Sequence, residues 1–158
     1  MAIHFRTFEF TDQNYDEVIA LLRGNHQINE QNYWVNIEPS VKEDQVHSSS
    51  VFWKMFSSRG PIIPKFTWVP SYERKQQIIP TQIGITRPVG TKAVQRLREF
   101  EVKIPSEWTV EQDHPKRGIV LSLPSYYSDE EVINLAVGSL RVLSPFDFYG
   151  KFLASVTI

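Results

Sequence analysis

Cysteine is absent from the 158 residues, and that single absence removes disulfides, thiolate metal sites, iron–sulfur clusters and cysteine nucleophiles together. The Cys-bearing zinc signature of nucleobase deaminases goes with them. Glycine is scarce, with seven residues, and neither a G-x-G-x-x-G fingerprint nor a Walker loop occurs, so nucleotide cradles of those kinds are excluded. No run of about 18 apolar residues exists to cross a bilayer as a helix, and the opening MAIHFRTFEF carries charge too early for a secretory signal. Neither sign of charge dominates. Seventeen basic residues stand against 18 acidic ones for a formal net charge of -1, without the positive field of a general nucleic-acid binder. The expectation is a cytoplasmic protein with neither membrane nor nucleic acid as its main partner.

What is present is core-forming material. Apolar residues make up 41% and aromatics 13%, with ten Phe and four Trp, and the length suits one globular domain over residues 1–158 that needs no metal or disulfide staple. Loose alternation over residues 3–10 predicts a strand. Thr11 and Asp12 then cap a helix over about residues 12–23, with Tyr15, Val18, Ile19 and Leu22 on one face and Gly24 as its stop. A polar loop over residues 24–32 leads to a strand carrying Tyr33, Val35 and Ile37, followed by a helix over about residues 46–57 with Val51, Phe52, Met55 and Phe56 on one side. Prolines at 61, 64, 70, 80 and 88 cut the next stretch into short pieces, FTWV and TQIGIT, expected at a sheet edge or beside irregular backbone.

Thr91 opens another helix, with Ala93, Val94, Leu97 and Phe100 inward. GIVLSLP, starting at Gly118, is almost continuously apolar and predicts a central strand covered on both faces. Ser128 and Glu131 form a capping box ahead of a stripe of Val132, Ile133, Ala136, Leu140 and Leu143. Gly138 inside that helix implies a close neighbour. Phe152, Ala154, Val156 and Ile158 alternate as a strand. The order gives a fold class of α+β, a mixed but mostly antiparallel sheet packed with about four helices. The alternative is α/β, since GIVLSLP, the helix after it and the last strand could form a parallel βαβ unit.

Chemistry concentrates in EWTVEQDHPKRG, residues 107–118. The proline after His114 holds its imidazole away from the chain, so a carboxylate at Glu111 or Asp113 could orient it as a general base, with Lys116 or Arg117 stabilising an oxyanion. The same letters also make a charged turn before a buried strand, and the backbone preferences of Asp, Pro and Gly favour the turn. Histidines 4, 26, 47 and 114 share no H-x-H or H-x3-H spacing, so no metal site and no cofactor is expected. G-x-S-x-G and S-x-x-K with their partner motifs are missing too.

Aromatics point elsewhere. Trp34, Trp53, Phe66, Trp68, Tyr72 and Trp108 sit in or beside short irregular pieces, and FTWVPSYERK mixes Trp, Tyr and Arg as protein interfaces do. Trp68, Tyr72 and Arg74, with Tyr126 and Tyr127 from the PSYYS loop, are the candidate binding residues. The functional expectation is a small non-catalytic binding protein that holds a protein partner or its own copy. The alternative is a small enzyme or ligand-binding domain whose pocket gathers His114, Arg117, Glu111 and Tyr126.

Overall fold

The computed structural model of the chain describes residues 5–23, 33–41, 63–87, 90–145 and 150–157. It begins with β1 (Phe5–Thr11), α1 (Asp16–Leu22) and β2 (Val35–Pro39). β3 (Lys65–Val69) and β6 (Gln82–Thr86) follow, with a small hairpin of β4 (Tyr72–Arg74) and β5 (Gln77–Ile79) between them. α2 (Ala93–Glu99), β7 (Thr109–His114), β8 (Gly118–Ser122), α3 (Asp129–Leu143) and β9 (Lys151–Thr157) complete the order.

Seven strands form one sheet in the order β1-β9-β2-β3-β6-β8-β7, and every neighbouring pair is antiparallel. Alternation of side chains along each strand makes one face apolar. Two cross-strand rows run through it, Val156–Val35–Trp68–Ile83–Leu121 and Ala154–Ile37–Phe66–Ile85–Ile119, and all ten residues are buried. The buried faces of α1 (Val18, Leu21, Leu22), α2 (Ala93, Leu97) and α3 join the same hydrophobic cluster. At about 1.5–3 kcal/mol for each large side chain removed from water, these rows are the main stabilising element of the fold. The reverse face is more polar. Thr67 Oγ1 donates to Asn36 Oδ1 across the strands at 2.7 Å there, and Gly84 faces open space.

The fold is α+β, and the α/β alternative falls because no adjacent strands are parallel. β8 and β9 do run in the same direction, but β2, β3 and β6 lie between them, so α3 bridges the sheet without closing a local βαβ unit. Several elements differ from expectation. Prolines 64, 70 and 80 fall just outside β3 and β6 and leave both free to pair on both sides in the middle of the sheet, not at its edge. GIVLSLP is buried as expected, yet it is next to the edge. The edge itself is β7, the polar stretch expected as a turn, whose exposed and half-buried residues suit a strand with one neighbour.

α1 starts four residues later than the capping pattern implies. Thr11 remains in β1 and closes a tight turn with Asn14, and Asp12 is drawn to Arg141 of α3 at 2.7 Å. Phe100 lies beyond the end of α2 and is exposed beneath the Arg96 guanidinium, 4.6 Å from the ring centroid. The capping box of Ser128 and Glu131 is present, and the neighbour at Gly138 is Val102, whose Cγ1 would lie 3.1 Å from an added Cβ. The described residues hold three helices. The helix expected over residues 46–57, the loop over 24–32, the Gly24 stop, Trp53 and histidines 4, 26 and 47 lie outside them. Among the described residues no helix is long and apolar enough to cross a membrane.

Candidate functional site

The register divides the candidate residues between two ends of the sheet. His114 pairs with Gly118 at one end of the β7–β8 hairpin, and Ser122 at the other end leads into the loop carrying Tyr126 and Tyr127. Four strand steps at about 3.3 Å each, roughly 13 Å, separate the two ends. The structure therefore does not bring Tyr126 to His114 and Arg117.

At the His114 end the polar groups are occupied in holding the backbone. His114 Nδ1 accepts hydrogen bonds from the Lys116 and Arg117 amides, each at 3.1 Å, which ties down the turn into β8. A ring nitrogen accepting two amides carries no proton and is not free to act as a base. Asp113 lies on the opposite face of β7 by strand alternation, and its Oδ1 accepts from the Val94 amide at 3.3 Å. It caps α2 from a neighbouring strand, since Lys92 at the N-cap position makes no side-chain cap. Glu111 sits exposed where the β7–β8 register shifts between Val110 and Gln112. No hydrogen bond or ion pair joins the side chains of Glu111, Asp113, His114 and Arg117 to one another among the described residues. No group of three or more His, Cys, Asp or Glu that could hold a metal occurs among them either.

This geometry has a measurable consequence. His114→Ala removes the acceptor for two amides and is expected to lower stability by about 1 kcal/mol, whereas His114→Asn, which can cap a turn in the same way, is expected to retain most of it. Urea unfolding of the two variants checks this. Equal losses would show that the imidazole does something other than cap the turn.

The opposite end gathers the aromatic candidates. Trp68 is 2% exposed in the core and packs edge-on against Tyr33, with ring centroids 6.1 Å apart. The Tyr33 hydroxyl donates to the Leu21 carbonyl at 2.8 Å, and burial pushes its pKa up to about 12. Tyr127 is half-buried beside them. Burial raises its pKa foremost, the Thr81 and Trp68 side chains pull it back, and Asp129 adds to the rise. Thr81 is the link, because its hydroxyl accepts from the Ser71 amide at 3.2 Å and its carbonyl accepts from the Leu123 amide at 2.9 Å. The root of the β4–β5 hairpin and the start of the tyrosine loop are thereby fastened to one residue. The indole N–H of Trp68 turns to the Tyr127 hydroxyl outside hydrogen-bond geometry, so Nε1 is a buried polar atom without a partner.

Beyond this knot the β4–β5 hairpin stands outside the main sheet. Tyr72 pairs with Ile79, Glu73 with Ile78 and Arg74 with Gln77, and each of these except Ile79 is exposed. Its turn residues Lys75 and Gln76 have φ of 49° and 63°, the backbone of a primed hairpin turn usually made by Asn-Gly. Ile78 is 81% exposed, Tyr126 74% and Tyr72 38%. Of the five residues read from sequence as binding residues, Tyr72, Arg74 and Tyr126 are on the surface, Tyr127 is half-covered and Trp68 is a core residue. Ile78 was not among them. The signal for it is Gln77-Ile78-Ile79: two successive apolar residues in a strand point to opposite faces, so one of them faces water unless both faces are covered. No protein-family model, curated protein or solved structure matches the chain.

Proposed function

We propose that this chain is a non-catalytic protein-binding module that holds a protein partner through the β4–β5 hairpin and the Tyr126 loop beside it. The observation that carries the reading is the hairpin. A two-stranded hairpin is marginal in water by itself, and here two non-glycine residues adopt left-handed backbone at roughly 1–2 kcal/mol each. That expense is not recovered by burial, since its most apolar outward residue, Ile78, is solvent-exposed. Tyr72 and Ile78 lie on opposite faces of the hairpin, because Tyr72 pairs with Ile79 and Ile78 with Glu73. A partner that grips the hairpin from both sides would therefore bury both and supply the missing stabilisation, with Tyr126 beside it. Tyr and Arg at the same end are residue types that dominate interface energetics. The alternative of an enzyme centred on His114 has less behind it, because His114 and Asp113 are engaged with backbone amides and Tyr126 lies at the other end of the strand.

Tagged protein recovered from its native lysate and sized tests the reading. The wild type is expected to retain a protein in fixed stoichiometry, or its own copy. Ile78→Asp with Tyr72→Ala is expected to weaken that complex by at least about thirtyfold, the loss of one hot spot, with Tm nearly unchanged because both residues are exposed. Undiminished binding by the double variant would overturn it.

A further inference from the structure

We propose that the cleft between α2 and the segment after it binds a small carboxylate with an apolar body. Val94, Arg98, Glu101, Val102, Lys103 and Ile104 line a volume of about 640 Å³, within the range of roughly 300–1,000 Å³ usual for small-molecule sites. Val94 and Arg98 are one helical turn apart on α2, so a methyl-rich surface and a guanidinium share that wall. The other wall is fixed. The Val102 amide donates to the Leu97 carbonyl at 2.9 Å, and the Val102 side chain packs against Gly138 of α3.

The two cations in the lining point to a negatively charged ligand. Arg98 and Lys103 both line the cleft, and neither has an ion-pair partner among the described residues. An incoming carboxylate therefore gains two cations without breaking an existing pair. Glu101, two residues beyond the end of α2 with φ of 60°, lines the same cleft. Its carboxylate opposes an anion and leaves the lining with one net positive charge from Arg98, Lys103 and Glu101, which suits a single carboxylate better than polyanions such as phosphate chains. Val94, Val102 and Ile104 would cover the apolar body. The site is separate from the hairpin, which belongs to the other end of β8.

Sodium octanoate is a suitable probe, with octanol as its uncharged counterpart. Titrated into the isotope-labelled full chain, octanoate is expected to shift the amides of residues 94–104 in a saturating manner. Arg98→Gln with Lys103→Gln is expected to weaken it at least about tenfold, and octanol to bind more weakly by a similar factor. The Ile78→Asp, Tyr72→Ala variant should bind octanoate like the wild type. Shifts that never saturate, that spread equally to Lys65 and Lys116, or that survive loss of both cations would overturn the proposal.

Discussion

Gly118→Ala is expected to destabilise the fold by about 3 kcal/mol or more, the sum of a left-handed backbone strain and a clash that only movement of a strand can relieve. Gly118 has φ of 86°, and a Cβ built on it overlaps the carbonyl oxygen of Ile85. That oxygen belongs to β6, the strand that pairs with β8 through Ile85 and Ile119. Backbone has no alternative rotamer, so the β6–β8 ladder must open at the end where His114 caps the turn. Gly84 supplies the contrast. It sits in the same ladder, opposite Val120 and Thr67, with open space where a Cβ would go and no left-handed backbone. Gly84→Ala is expected to be neutral or to stabilise by about 0.5 kcal/mol, because glycine within a strand carries an entropic penalty. Urea midpoints for the two variants decide the matter. Equal midpoints would mean that β6 and β8 do not pair in this register.

How much of this could be read from sequence depends on whether the signal was local. The α3 capping box, its apolar stripe and the alternation of β9 involve residues a few positions apart, and all three appear as expected. β7 is not legible in this way, because its polar letters suit a turn and an edge strand with one neighbour equally well. The number of prolines predicts β3 and β6 at an edge or beside irregular backbone, and only their placement just outside each strand leaves both free to pair on two sides. The candidate sites divide the same way. That Asp113 caps α2 and that Thr81 joins the hairpin to the tyrosine loop are contacts between segments distant in sequence. No spacing rule contains them. The cleft beside α2 depends on one left-handed residue, Glu101, that no composition signals.

Trp68→Ala is the second large effect, expected to cost about 3–5 kcal/mol, the range for emptying a buried aromatic site. Trp68 lies in the cross-strand row between Val35 and Ile83, and Tyr33 and Tyr127 lean on it from the next elements. The loss would therefore reach the base of the hairpin, since β3 passes through Val69 to Ser71, which Thr81 anchors. Trp68→Phe should be much milder than its lost volume implies. It keeps a ring in the row and removes an indole N–H that is buried without a partner, and a buried unsatisfied donor itself costs about 1–3 kcal/mol. Unfolding followed by circular dichroism avoids the change in tryptophan fluorescence. If the alanine variant unfolds at the wild-type midpoint, Trp68 is not a core residue and the aromatic end of the sheet is assembled differently. If it unfolds early while Trp68→Phe holds, then any loss of partner binding by Trp68→Ala reflects a collapsed platform and not the loss of a contact made by the indole.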